Sequence, residues 1–412
     1  MWWMSAPARV LILGGGFGGL YTALVASRLL HTRAEITVID RNDYFLYTPL
    51  LFQVAGGSLQ ARHVARSLRH LLPRSARIIH ADVTAIDLDA KQVTTGSGSF
   101  SYDFLVLALG GVPNFYGMAS AEQHALRFKW LPDVFRLRTH IEQRFAEAAA
   151  EPRRARDVLR TVITGAGCTG VELVAELHDW MHGPLLRHHP SVPRDAPSLV
   201  LAEALDHLLC PMDPNLMRKA VRKLLDRHID LKLERFVTEV GPEWLKLRGP
   251  AGDEQVPCGT VVWAAGIKPS PLVADLPLPH GPGERIDVTP SLQVVGHPEV
   301  LALGDLAACP DPVGGILPQT AQVAVQQGPA AARTLHALIT GEIPQAFRYR
   351  RKGEVVWLGR TGALAEAFGL HFTGLPAWLL SRTVHLARVP DWGDRVAIAL
   401  QWAKALIASE RR

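Results

Sequence analysis

Cysteine is scarce in this chain. Its 412 residues include four, Cys168, Cys210, Cys258 and Cys309, all far apart. No C-x-x-C pair occurs, so neither a redox dithiol nor a zinc site is suggested, and no metal site is expected. Few, scattered thiols suit a reducing cytoplasm. Long apolar runs are lacking as well, since none reaches the roughly 18 residues that a spanning helix needs. No dense block of lysine and arginine appears, which argues against nucleic acid as a partner. The net charge of +5 is mild and fits attraction to anionic lipid or anionic cofactors. No signal peptide is read either: after Met1-Trp2-Trp3-Met4 the first expected strand begins near Arg9, and Met4 is an alternative start.

Apolar material, by contrast, is ample. Hydrophobic residues make up 48% and charged residues 20%, which permits large cores, and the length allows two or three domains. The first informative stretch runs from Arg9 to Ala26. It reads as a buried strand, a glycine-rich turn and a helix of small and apolar residues. Gly14, Gly16 and Gly19 have the G-x-G-x-x-G spacing. The first glycine makes the tight turn, the second admits a pyrophosphate to the backbone, and the third lets helix and strand pack closely. The diphosphate would sit on the helix N-terminus. A second strand, Glu35 to Ile39, ends in Asp40, placed to accept hydrogen bonds from a ribose diol.

The pattern then repeats. A strand over 158–164 precedes Gly165, Gly167 and Gly170 at the same spacing, with a helix expected through about Leu177. A later strand, Ser198 to Ala202, ends in Glu203. An acid there repels a 2′-phosphate and so favours NADH over NADPH, although a nearby arginine would reverse that preference. The intervening segment, Trp180 to Pro197, is read as a helix extension and loop. Cys168 stands where the second helix begins, either as a small packing residue or as a thiol activated by the helix end. Two dinucleotide folds imply two dinucleotides held face to face, and hydride transfer between nicotinamide and flavin is the economical explanation. Two further apolar strands end in turns at Gly110 and Gly266, and a third ends in Gly304-Asp305.

The order of these features resembles the two-dinucleotide-binding flavoprotein superfamily, and within it type II NADH dehydrogenase. The resemblance covers nearly the whole chain. It is carried by Asp40-Arg41-Asn42-Asp43-Tyr44 through Thr48-Pro49-Leu50-Leu51, by Leu107-Ala108-Leu109-Gly110, and by Val262-Trp263-Ala264-Ala265-Gly266. Pro318 to Gly328 and Tyr349-Arg350-Arg351-Lys352-Gly353 carry it further. It implies FAD in the first cradle with Asp305 on its ribityl chain, NADH in the second with Glu203, and a quinone reached past Ala321-Gln322 and Gln326. Gln322 and Gln326 share a helix face by their spacing, and capping or solvent contact is the plainer use for them. Glu172, in the first turn of the second helix, is either a complement to the helix dipole or, as the resemblance implies, a group near the flavin–nicotinamide contact. There it would pair with Lys352 and tune proton delivery.

The expected architecture is α/β. It has an FAD-binding domain in two parts (1–120 and 271–345), a helical connection (121–155), an NADH-binding domain (156–270) and a C-terminal interfacial region (346–412). Within that last region a helix opens at Pro376 and stops near Pro390, and another runs from about Asp394 to Ser409. Val396, Ala399, Leu400, Ala403, Leu406 and Ile407 gather on one side of the second helix, with Trp402 at the border. Asp394, Gln401 and Lys404 lie opposite. Such a stripe, with Arg382, Arg388, Arg395, Arg411 and Arg412 around it, suits either a helix lying in a bilayer interface or one packed on protein. The expected enzyme is therefore a non-proton-pumping NADH:quinone oxidoreductase, peripheral on the cytoplasmic face of the membrane, with a homodimer left open. A sulfide:quinone oxidoreductase using Cys309, or a redox sensor that engages a partner protein, are the alternatives. Disulfide reductases are excluded because no cysteine pair follows the first cradle.

Overall fold

The computed structural model describes residues 6–208, 212–360, 362–367, 369–389 and 391–410, the last seven by backbone alone. Cys210, Pro390, Arg411 and Arg412, the candidate starts Met1 and Met4, and the side chains of Lys404, Leu406 and Ile407 lie outside the described residues. The chain divides into two compact units. One comprises Met1–Leu46, Ala65–Val112 and Ile267–Arg351; the other comprises Tyr47–Val64, Pro113–Gly266 and Lys352–Arg412.

The first unit is built on a sheet whose strands run Gln293–Val294, His297–Ala302, Phe104–Leu107, Ala8–Leu13, Ala34–Asp40 and Ala76–His80 across its width. All neighbours are parallel except the outermost Gln293–Val294 pair. Val10 to Leu13 and Leu105 to Leu107 are buried throughout, as expected of parallel strands covered on both faces. The Phe17–Leu30 helix follows the first strand and packs against the Ala321–Thr340 helix.

The second unit repeats the plan with five parallel strands, in the order Leu126–Arg127, Thr260–Trp263, Arg160–Thr164, Ser198–Ala202 and Asp230–Lys232. The strand expected from Val158 begins at Arg160, because Ala155–Val158 closes a short helix first. The helix expected to about Leu177 runs from Cys168 to Trp180. It continues through a π-turn, Met181–Leu185, and one further turn, Leu186–His188. The π-turn accommodates Pro184, which has no N–H to donate to an ordinary turn. The segment Trp180–Pro197 is thus a helix extension followed by loop, as expected.

The C-terminal part of this unit has a three-stranded antiparallel sheet, Glu354–Trp357, Ala363–Ala367 and Leu370–Thr373, then helices Leu375–Arg388 and Trp392–Glu410. The last helix turns its polar and apolar residues the opposite way from a water-facing one. Asp394, Ile398 and Trp402 are buried, whereas Trp392, Val396, Ala399, Leu400 and Ala403 are exposed, Trp392 by 72% and Leu400 by 58%. Asp394, expected on the open side, instead faces His63 at 3.1 Å, and Trp402 donates its indole N–H to Gln53 Oε1 at 2.8 Å. Available partners explain the inversion: each buried polar group meets one from Tyr47–Val64. Among the described residues no helix is long and apolar enough to cross a membrane. Replacing Val396 and Leu400 together by serine should leave the denaturation midpoint nearly unchanged, within about 0.5 kcal/mol. Ile398→Ala, at a fully buried position, should cost about 2–5 kcal/mol in the same measurement.

Candidate functional site

Both glycine turns share one geometry. Gly14 has φ +102° and Gly165 φ +92°, backbone conformations that a side chain would strain. A Cβ on Gly19 would collide with the Gly14 carbonyl, and one on Gly170 with the Gly165 carbonyl. Around the middle glycines, Gly16 and Gly167, an added Cβ would meet nothing within 4 Å. Close packing behind the turn and open space in front are what a pyrophosphate on a helix N-terminus requires.

The terminal acids close the turns in the same way. Asp40 Oδ2 accepts the Gly15 N–H at 2.6 Å and Oδ1 the Asn42 N–H at 2.7 Å. Glu203 Oε2 accepts the Ala166 N–H at 2.7 Å and Oε1 the Leu205 N–H at 3.1 Å. Basic groups beside Glu203 are occupied. Lys232 Nζ binds Glu254 at 2.8 and 3.1 Å, and Arg235 donates to the Glu234 carbonyl at 3.2 Å. The turn at Gly110 has φ +66°. Gly266, with φ +124°, accepts at its carbonyl from the Asn114 N–H at 3.0 Å.

Asp305 lies half-buried in the Gly304–Leu306 turn, beside the buried Arg285 guanidinium, and its carbonyl accepts the Gln319 amide at 2.7 Å. The buried Gln327 fixes this turn by accepting the Gly304 N–H at 2.7 Å. Nothing in the sequence separated Gln327 from its neighbours except periodicity: it falls in register with Val323, Ala324 and Ala331 on the buried helix face. Gln326 has another task. Its Nε2 donates to the Arg350 carbonyl at 3.0 Å and its Oε1 accepts the Arg350 N–H at 3.1 Å, so it holds Arg350 as a neighbouring strand would. Gln322 stands one turn earlier, half-buried, its carbonyl 3.3 Å from Gln326 Nε2.

In the second unit, Glu172 accepts the Trp357 backbone N–H at 3.1 Å. Burial pushes its carboxyl well above the ordinary range, against that hydrogen bond, and the Glu354 and Glu176 carboxylates push the same way. Lys352 lies at the surface. One turn along the helix, Glu176 is 3% exposed, and burial raises its carboxyl to about 7. Sequence reading passed over Glu176, although its spacing of four from Glu172, amid Leu173 to Leu177, marks it as inward-facing.

Close to Glu176 sits a buried cation. Arg382 lies over the rings of Trp378, Trp402 and Trp357, at 3.7, 4.4 and 4.7 Å from their centroids. Burial lowers its guanidinium to about 9, so it remains charged at neutral pH, and Glu176 opposes the fall. His385 is buried beside Trp357, with Tyr47 Oη 3.3 Å from its Nδ1. Burial, with Arg388 and Arg382 adding to it, lowers the imidazole to about 3 and keeps it neutral.

Burial pushes the Cys258 thiol up to about 12 and that of Cys309 to about 11. Neither is a thiolate at neutral pH, which weakens the sulfide-oxidising alternative. Cys168 is half-buried at the start of its helix. Among the described residues no group of three or more His, Cys, Asp or Glu could hold a metal ion.

The pyridine nucleotide-disulphide oxidoreductase family model matches residues 8–328. A type II NADH:quinone oxidoreductase of Staphylococcus aureus is 30% identical over 379 residues, covering 91% of this chain and 94% of that protein. The chain belongs to the type II NADH:quinone oxidoreductases. A demethylphylloquinone reductase of Synechocystis is 32% identical over 408 residues, covering 97% of this chain and 96% of its own length. In fold, the chain matches NDH2 from Plasmodium falciparum in complex with NADH. The TM-score is 0.88 at 17% identity, with 96% of this chain and 98% of that one covered.

Membership of this family does not explain why a carboxyl is buried at Glu176 at a cost to stability. A group whose folded value, about 7, lies above its ordinary 4.5 stabilises the fold fully below 4.5 and loses that contribution as pH rises through 7. Glu176→Gln should therefore match the wild type near pH 4.5 and be more stable by about 3 kcal/mol at pH 8.5, read by denaturation at the two pH values.

Proposed function

We propose that this chain oxidises NADH and passes two electrons to a membrane quinone, with FAD as the resident carrier and without pumping protons. The single observation behind this is the duplicated cradle, closed by Asp40 in one half and Glu203 in the other, in a member of this family. Bound flavin would accept hydride from NADH and release two electrons to the quinone. The chain's own residues bind, orient and hold protons.

In this reading Gly14, Gly16, Gly19 and Asp40 hold the FAD diphosphate and ribose, with Gly110 and Asp305 along the same cofactor. Gly165, Gly167, Gly170, Glu203 and Gly266 hold NADH. The Glu203 carboxylate receives the ribose diol and repels a 2′-phosphate, and Arg235 beside it donates to the Glu234 carbonyl. Gln322 lines the quinone path. Gln326 positions the Arg350 segment, which leads to Lys352. Glu172, whose carboxyl burial holds well above the ordinary range, supplies a proton to the reduced quinone, with Lys352 a cation near that path.

The exposed face of the last helix rests on lipid. Trp392, Val396, Ala399, Leu400 and Ala403 present an apolar stripe, and Arg395 lies over the Trp392 ring at 5.7 Å. A tryptophan and an arginine at the border of such a stripe suit the headgroup level of a bilayer. Attachment of this kind places the enzyme on one face of a membrane without crossing it.

Anaerobic stopped-flow spectroscopy of the purified holoenzyme tests the catalytic reading. NADH should bleach the flavin at least tenfold faster than NADPH at equal concentration, and a soluble quinone should restore the colour rapidly. Bleaching without recolouring by quinone would favour the sensor alternative, and no bleaching would remove NADH from the second cradle.

A further inference from the structure

Proton demand is built into quinone reduction. A hydroquinone has two new O–H bonds, whereas NADH delivers a hydride, so each turnover draws one further proton from solvent. The Cys168–Trp180 helix bears three acids at successive turns, Glu172, Glu176 and Asp179, spaced four and three apart and so along one face. Asp179 anchors the far end. It is bound by Arg227 at 3.0 Å and by the Arg360 N–H at 2.8 Å. His178 Nδ1 lies 3.6 Å from Asp179 and stacks on the exposed His182, ring centroids 4.3 Å apart. That end reaches water.

Glu176 occupies the middle, buried, and no described residue hydrogen-bonds its Oε1. The oxygen faces the backbone at Gly56, where an added Cβ would lie 2.8 Å from it. Every element packed around this carboxyl contributes to its surroundings. The Leu375–Arg388 helix supplies Arg382, the Tyr47–Val64 segment Ser58, and its own helix Glu172 and Asp179. Arg227 and Arg360 stand beyond Asp179, and the Leu131–Ala150 helix brings Arg138 to Gly57, where it donates to the Val54 and Ala55 carbonyls. Arg138 is spent on carbonyls, Arg227 on Asp179 and Arg382 on indole faces, and none of them is hydrogen-bonded to the free oxygen.

We propose that Glu176 is a proton-relay residue, taking a proton from the Asp179–His178–His182 end of its helix and passing it to Glu172 for quinone reduction. The inference rests on the quinone-reductase reading. In the step, the Glu172 O–H bond breaks as its proton joins an oxygen of the quinone that has received two electrons from NADH. The Glu176 O–H bond then breaks to restore Glu172, and the Glu176 carboxylate takes a proton from solvent. One solvent proton is consumed and no charge accumulates on the protein. A carboxyl that titrates near neutrality exchanges protons in both directions at little cost, which an ordinary surface glutamate cannot do.

The test uses the Glu176→Gln holoenzyme in single-turnover stopped flow. Flavin bleaching by NADH needs no solvent proton and should stay within about twofold of wild type. Reoxidation by quinone should slow by about 100-fold. In wild type that phase should fall as pH rises above about 7, and the variant should lack this limb. Infrared difference spectra between pH 6 and 8 supply a readout independent of turnover: wild type should show one protonated-carboxyl band lost over that interval, absent from the variant. Unchanged reoxidation and pH profile in the variant, or equal slowing of both phases, would overturn the relay. Should the variant fail to hold flavin, the wild-type spectrum decides, since the absence of a carboxyl titrating near 7 overturns it as well. Wild-type enzyme that no quinone reoxidises would instead refute the underlying reading of the reaction.

Discussion

Each half of the chain is organised around a contact that admits no side chain. The helix leaving the glycine turn lies so close to the strand before it that Gly19 abuts the Gly14 carbonyl and Gly170 the Gly165 carbonyl. That closeness brings the first helical N–H groups over the ends of the strands. It also sets the reach within which Asp40 and Glu203, at the ends of the neighbouring strands, accept from Gly15 and Ala166. The register of the parallel sheet follows from the same constraint. Leu13 pairs with Ile39 and Thr164 with Ala202, so strand ends and acids fall level in both halves. The proposed nucleotide cradles and sheet assembly therefore draw on one piece of geometry, and neither can change alone.

The second unit adds a cost that sheet assembly does not require. Glu176, Arg382 and His385 are buried, and Glu172 is half-buried one turn before Glu176, with few hydrogen bonds to serve them. Burying ionisable groups usually lowers stability, and leucines of similar volume would often serve better. Some of the cost is offset by the indole faces around Arg382, since a desolvated cation over an aromatic ring gains about 2 kcal/mol. Glu176 has no such compensation at its free oxygen. Natural sequences keep such residues where activity needs them, and the raised carboxyls lie on the helix that starts at the second cradle.

The cradles were legible because their signal is local. Glycine spacing, a preceding apolar strand and a terminal acid are all written within short stretches, and Gly14 to Asp40 and Gly165 to Glu203 fold as read. Long-range placement was less legible. Nothing in the run Tyr47–Val64 announces that it joins the second unit, because its ties to Asp394, Trp402 and His385 span more than 330 positions. Gln326 shows the same limit. Its helical spacing from Gln322 was readable, but its pairing with the Arg350 backbone depends on where a distant extended segment runs. The burial of Glu176 is poorly written in the sequence, because an acid in a helix is ordinarily solvated. Its apolar neighbours on both sides were the only warning.

The last helix shows why a hydrophobic wheel alone could not decide its environment. A stripe of alanine, valine and leucine packs on protein or on lipid equally well, and the choice depends on what the other face can find. Here the other face finds polar partners: His63 for Asp394 and Gln53 for Trp402, both in Tyr47–Val64. Ile398 fills the space between them. With the polar face fastened inward, the apolar residues are left outward, an arrangement that water penalises by about 25 cal/mol for each Å² of apolar surface. A bilayer removes that penalty while leaving the inner hydrogen bonds intact. The exposed stripe and the position of Tyr47–Val64 are then tied to two faces of one helix, so whatever covers the outer face also steadies the segment that packs against Glu176.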